Sequence, residues 1–346
     1  MTQYLYKYNQ RFPLENGGEL PELEICYHTS SENAAGKPVI WICHALTANS
    51  NPEEWWGTLV GAGKYFDTEK YFIICANILG SCYGSTGPQS PGLPGGKPYL
   101  LGFPLVSIRD MIAAHELLRA HLGIERIDLA IGGSSGGFQA LEWAVACPSL
   151  IRNICLIACN ARISPWGAAF NESQRMALKA DATFEAQENI SGGEKGLECA
   201  RSIALLSYRS YAGYGLSQAE ADDDCLLAQR ACSYQRYQGK KLSARFNAYA
   251  YYYLTLSLDT HNVGRGRGGV EKALSGVKAK TLCIGIDSDV LFPISEMQYM
   301  AEHIPDAKLE IISSAYGHDG FLLEYEQISK QLDMLVSGFR FKVHNS

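Results

Sequence analysis

Glycine and serine cluster at residues 131–137, Ile-Gly-Gly-Ser-Ser-Gly-Gly, where an apolar β-like run at 127–131 gives way to a helix-like segment at 138–146. A serine within G-x-S-x-G on a tight strand-to-helix turn sits in strained backbone, and the glycines two residues to either side avoid clashes. Such a turn exposes Oγ and aims the first amides of the helix at the point where an oxyanion develops. Two registers satisfy the pattern, one centred on Ser134 and one on Ser135, and local chemistry does not separate them. A serine hydroxyl attacks at neutral pH only beside a base, and an imidazole base needs a carboxylate to fix its tautomer. Among the eight histidines, His318 is the one that follows the last β-like run in a turn led by a glycine, Gly317. Asp287 and Asp289 compete as its carboxylate on position alone. Asp319 is too near in sequence to orient that ring. His44, at the end of an apolar run, reads as a packed, hydrogen-bonded structural histidine.

These groups require a scaffold, and the chain spells one out. Residues 1–29 carry two amphipathic β-like runs around a segment bounded by Pro13 and Pro21, the pattern of an antiparallel edge hairpin. Continuously apolar runs at 38–43, 71–77, 154–158 and 280–286 have the length and composition of strands buried on both faces. Helical spacing at 110–122 supplies a crossover before the elbow, and 294–303 and 321–336 supply others. The alternation predicts a doubly wound, mostly parallel sheet. It breaks at Ser164-Pro165, after which residues up to 276 show helical periodicity, at 172–180, 195–207 and 248–258, without an apolar strand. The expected organisation is a core segment over 1–164, an all-helical insertion over 165–276 that lies over the elbow as a lid, and a second core segment over 277–346. Tyr249, Tyr251, Tyr252 and Tyr253 are expected to pack within the helices. The loop at 80–88, rich in Gly and Ser, lacks the lysine and spacing of a phosphate-binding P-loop.

An apolar fraction of 47% and a charged fraction of 19% describe an ordinary globular chain. The net charge of −6 and the absence of a basic stripe argue against nucleic acid or an anionic membrane as partner. With no apolar leader at the N-terminus and no apolar span, the expected location is the cytoplasm. Eleven cysteines, several of them inside apolar runs, show no C-x-x-C pair and no zinc-ligand spacing, so free thiols, no disulfide and no metal are expected.

Dispersed motifs between residues 44 and 319 resemble the homoserine O-acetyltransferase family: His44-Ala-Leu-Thr47, Gly84-Ser-Thr-Gly-Pro88, the elbow, Tyr208-Arg-Ser210, the 233–239 and 264–268 segments, Ser288-Asp-Val-Leu-Phe-Pro293 and Gly317-His-Asp319. The resemblance implies an α/β-hydrolase fold with an inserted helical lid. It selects Ser134 as nucleophile, Asp289 as acid and His318 as base, and leaves Asp287 as a loop cap. The backbone amides of Leu46 and Ser135 would form the oxyanion hole. The family usually has Met or Leu where this chain has Ser135, which leaves the amide intact and more room beside the nucleophile. Arg209 would bind the acceptor carboxylate and Asp319 its amine, while Arg265 and Arg267 could touch coenzyme A phosphates or simply hold a hinge loop. The 80–88 loop would wall the pocket. The implied reaction is ping-pong transfer of acetyl from acetyl-CoA, a co-substrate with no permanently bound cofactor beside it, to the hydroxyl of L-homoserine in methionine biosynthesis. A serine or homoserine O-succinyltransferase, and after it an esterase, are the competing expectations. A non-catalytic module of this fold would lack a triad member, and this chain has all three. The resemblance also implies a homodimer that pairs through the helical lid.

Overall fold

In β1 (Thr2–Tyr8) Tyr4, Tyr6 and Tyr8 alternate with more exposed residues, as expected of a strand with one face packed, and β1 pairs antiparallel with β2 (Leu23–Thr29). The computed structural model describes residues 1–34 and 36–336. Residues 337–346 of the expected second core segment lie outside the described residues. β3 (Val39–Cys43), β4 (Phe72–Ala76), β5 (Leu129–Gly133) and β6 (Asn153–Ile157) are buried along their whole length. With β7 (Lys280–Ile286) and β8 (Ala307–Ile312) they complete an eight-stranded sheet in the order β1-β2-β4-β3-β5-β6-β7-β8. β2 is antiparallel to both neighbours, and every pairing from β4 through β8 is parallel.

Side chains alternate between two apolar clusters, one on each face of the sheet. Trp41, Ile74, Leu156 and Cys283 belong to one, and Ile42, Ile73, Ile157 and Ile284 to the other. Helices cover these faces, which explains why the strands read as unbroken apolar runs. α1 (Ile108–His121) starts two residues before the periodicity indicates, because Ser107 and Asp110 form a reciprocal capping box. α2 (Ser135–Ala146) starts at Ser135 rather than at 138, and β5 runs on to Gly133. Strand and helix therefore meet at Ser134 with no intervening loop.

Between β6 and β7 the chain is helical. α3 (Pro165–Lys179) begins earlier than its apolar spacing indicates, with Ser164 as cap and Pro165 in the first turn, where a missing N–H costs nothing. α4 (Ala182–Ala186), α5 (Glu194–Tyr208), α6 (Tyr211–Gln218), α7 (Gln229–Ser243), α8 (Ala248–Asp259) and α9 (Val270–Ser275) follow. α3 packs on α5 and α8, and α5 packs on α7 and on the turn that carries His318. Tyr249, Tyr251 and Tyr253 are buried in this helical layer, and the Tyr251 hydroxyl donates to Gln174. After α10 (Ile294–His303), the segment expected as one helix over 321–336 breaks at Glu324, giving a short turn and then α11 (Tyr325–Val336). Among the described residues no helix is long and apolar enough to cross a membrane.

Candidate active site

Ser134 sits at the β5–α2 junction with φ 56° and ψ −128°, a region that costs an L-residue strain, whereas Ser135 is the first helical residue. Backbone geometry thus separates the two registers: Ser134 occupies the apex. Its own amide is anchored to Ile157 O on β6 at 2.9 Å. The flanking glycines are required by close approach. A Cβ on Gly132 would lie 2.3 Å from Gly136 O, and one on Gly136 would lie 2.2 Å from Cys43 O at the end of β3. That second contact brings the loop after β3 against the first turn of α2. Leu46, Ser134 and Ser135 then line one small cavity of about 30 Å³, with Asn171, Gln174 and Tyr208 from the helical layer and Phe292 from the loop after β7.

The loops after β7 and β8 bring Asp289 and His318 together. His318 Nδ1 lies 2.7 Å from Asp289 Oδ2, and both side chains are buried. The other carboxylate oxygen, Oδ1, accepts from the amides of Leu291 at 2.8 Å and Phe292 at 3.0 Å, so the carboxylate cannot rotate freely. Asp287 instead accepts from Ser314 N at 3.0 Å and Ser288 Oγ accepts from Gly317 N at 3.1 Å, which ties the two loops to each other. Gly317 adopts φ +66°, and a Cβ there would meet Arg209 backbone at 2.7 Å. Burial alone would lower the His318 pKa. The charge and hydrogen bond of Asp289, aided by the Asp319 charge, more than offset this and raise it above the ordinary histidine value. Tyr208, Phe292 and Phe321 surround the ring with centroids 5.7, 5.2 and 5.3 Å away. Tyr208 and Phe292 also wall the cavity onto which Ser134 opens.

Arg209 and Asp319 meet at the edge of this centre, with Nη1 to Oδ2 at 3.2 Å, and Arg209 Nη2 donates to the Tyr234 hydroxyl at 3.2 Å. Ser210 then fastens the helical segment to the His318 loop by donating to Ala315 O. The amides of Leu46 and Ser135 donate to no protein acceptor among the described residues. They are therefore available to a ligand oxygen.

Other sequence candidates are occupied elsewhere. Arg265 pairs with Glu15 at 2.8 Å, and Arg267 with Glu142. Both hold the 264–269 loop against the core, in line with the hinge-loop alternative. None of residues 80–88 lines the cavity. Instead Ser85 and Thr86 accept from the Cys26 and Glu24 amides of β2, because their hydroxyls satisfy an otherwise open strand edge. The same loop is tied to the loop after β3 through Arg245, which donates to the Tyr83 hydroxyl and Thr47 O, and through Asn77, which donates to Tyr83 O and Ser50 Oγ. Among the described residues there is no cluster of metal-ligating side chains.

Sequence reasoning passed over Gln139, which is fully buried and donates to His44 O at 3.0 Å and Ser135 O at 3.1 Å. Its position four residues after Ser135 on one helix face was the available signal. Asn171 and Gln174 carried none, since the helical layer brings them in from a distant part of the chain, whereas Phe292 arrives with the 288–293 motif that carries Asp289.

A strained serine at a strand-to-helix apex, with a carboxylate and a histidine on later loops of a mostly parallel sheet, defines the class. The family model described as the alpha/beta hydrolase fold matches residues 38–325, and the protein is an α/β-hydrolase-fold enzyme. A homoserine O-acetyltransferase from Cyclobacterium marinum is 47% identical over 332 residues, covering 95% of this chain and 93% of that protein. The chain belongs to the homoserine O-acetyltransferase family, a family of acyltransferases. The solved homoserine O-acetyltransferase from Bacillus anthracis superposes with a TM-score of 0.88 at 22% identity, covering 97% of each chain. A solved esterase gives 0.85 at 22% identity, covering 96% of this chain and 99% of the other. Structural likeness at that identity speaks for the fold alone, and this fold serves both transfer and hydrolysis.

Proposed function

We propose that the protein transfers acetyl from acetyl-CoA to the hydroxyl of L-homoserine by a ping-pong route through acetyl-Ser134. In the first half, Ser134 Oγ attacks the thioester carbonyl as His318 Nε2 takes its proton. The tetrahedral oxyanion accepts hydrogen bonds from the Leu46 and Ser135 amides, and collapse breaks the C–S bond while His318 returns the proton to the departing thiolate. In the second half, His318 takes the homoserine hydroxyl proton, that oxygen attacks the acetyl carbonyl, and Ser134 leaves with the proton. Asp289 holds His318 with Nδ1 protonated and Nε2 free to accept.

Transfer rather than hydrolysis rests on one observation. The Arg209–Asp319 pair sits beside the catalytic histidine, and its two charges complement the carboxylate and amine of an amino-acid acceptor. The acceptor would part the pair, with Arg209 taking its carboxylate and Asp319 its ammonium group. Thiol release from acetyl-CoA tests this reading, measured with L-homoserine, L-serine or water as acceptor and repeated with succinyl-CoA as donor. Fast release with acetyl-CoA and homoserine and slow release in water supports it. Equal rates with and without homoserine would make the protein an esterase, and preference for succinyl-CoA would change the donor.

The proposed assembly is a homodimer that pairs through the helical segment between β6 and β7. That segment exposes Tyr211, Leu216, Leu226 and Leu227, large apolar side chains that a partner would cover. Sedimentation of wild type against Leu226→Asp with Leu227→Asp tests this. The cysteines are all free, which fits a reducing compartment, and the cytoplasm is the proposed location.

A further inference from the structure

His44 takes no part in the triad, yet its ring bonds are unusually constraining. The side chain is fully buried at the end of β3. Its Nε2 lies 3.1 Å from Ile78 N, and because a backbone amide can only donate, that ring nitrogen carries no proton. The proton must then sit on Nδ1, which lies 2.9 Å from Ala45 O and donates to it. Burial pushes the His44 pKa down to about 4, so the neutral ring persists at working pH.

Ala45 C=O and Leu46 N–H are the two ends of one planar peptide, and among the described residues no peptide is cis. In a trans peptide these two groups point in opposite directions. Holding Ala45 O toward His44 therefore turns the Leu46 N–H the other way. Leu46 lines the same cavity as Ser134 and Ser135. The preceding peptide is fixed as well, because Gln139 on α2 donates to His44 O and to Ser135 O together. Gln139 thus bridges the two chain segments that carry the free amides.

We infer that His44 is a positioning residue for acyl transfer. It orients the Ala45–Leu46 peptide so that the Leu46 amide faces the developing oxyanion, and Gln139 holds that amide at a fixed distance from the amide of Ser135. His44 touches no substrate and acts only through the backbone. The inference rests on Ser134 being the nucleophile.

Two substitutions separate orientation from packing. His44→Asn keeps an amide nitrogen near the place of Nδ1, able to donate to Ala45 O, and gives up the bond to Ile78. His44→Gln puts an acceptor near the place of Nε2 for the Ile78 amide and removes the ring donor from Ala45 O, which keeps only the turn bond from the Ala48 amide at 3.0 Å and so loses the bond that aims it at residue 44. The measurements are the single-turnover rate of Ser134 acetylation, the acetyl-CoA concentration giving half that rate, and Tm. Loss of one oxyanion donor costs ~10²-fold or more in rate. His44→Gln is expected to fall by about that factor with half-saturation little changed, and His44→Asn to stay within ~10-fold of wild type. Equal loss in both variants, in step with Tm, makes His44 a packing residue and overturns the inference. A folded His44→Gln enzyme acetylated at the wild-type rate does so too. If neither variant folds, Gln139→Met decides: slower acetylation at unchanged half-saturation supports the strap, and an unchanged rate overturns it. Failure of the underlying reading looks different, since wild type itself would then form no acetyl-Ser134.

Discussion

Asp289→Asn removes one charge, keeps the shape, and has a predictable orientation. The Leu291 and Phe292 amides both donate to Oδ1, so the asparagine must keep its carbonyl oxygen there. Its NH2 group then takes the place of Oδ2, 2.7 Å from His318 Nδ1. A donor facing Nδ1 forces the imidazole into the tautomer with its proton on Nε2. That ring cannot accept the Ser134 proton. The basicity changes in the same sense, because burial pulls the His318 pKa down and the Asp289 charge and hydrogen bond oppose it. In a serine protease triad the equivalent change lowers kcat ~10⁴-fold with geometry intact, a barrier increase of ~5 kcal/mol. The same loss is expected here in kcat for acetyl transfer at saturating acetyl-CoA and homoserine. Tm identifies a variant that has simply unfolded. A folded Asp289→Asn enzyme within tenfold of wild type would refute the tautomer argument.

The pH–rate profile gives a second test. The proposed base, His318, can accept a proton only when neutral and its folded pKa is raised, so the acid limb of kcat/KM should inflect above the ordinary histidine value. Asp319→Asn removes one of the raising charges and should move that limb to lower pH while raising KM for homoserine. Arg209→Leu should raise KM for homoserine by ~10- to 100-fold, the worth of a hydrogen bond to a charged group, without slowing acetylation of Ser134 by acetyl-CoA. Gly136→Ala places a Cβ 2.2 Å from Cys43 O, a backbone clash that no rotamer relieves. It should cost ~3 kcal/mol or more of stability, read as a lower denaturation midpoint, whereas Gly95→Ala, at φ +80° with open space around it, should cost only ~1 kcal/mol.

The sheet was legible in the sequence because its strands are buried on both faces, so Val39–Cys43 or Lys280–Ile286 reads as an unbroken apolar run. Ends were less legible where capping or proline chemistry overrides apolar spacing, as at Ser107 and Pro165. The elbow stood out as a glycine and serine cluster, but its register did not. The choice between Ser134 and Ser135 depends on which residue takes positive φ, and two overlapping G-x-S-x-G patterns carry no information on that. Asp287 and Asp289 were likewise indistinguishable by position. What separates them is that one carboxylate reaches Ser314 N and the other His318, a difference of loop geometry. The Arg209–Asp319 contact joins residues far apart in sequence, and only the docking of α5 and α6 on the His318 loop produces it.

The measurement closest to the central claim is intact-protein mass after brief mixing with acetyl-CoA, in wild type and Ser134→Ala, followed by a chase with L-homoserine. One acetyl adduct on wild type, none on Ser134→Ala, and rapid discharge by homoserine is the result expected. An adduct that persists in Ser134→Ala, or one that homoserine discharges no faster than water does, would contradict it.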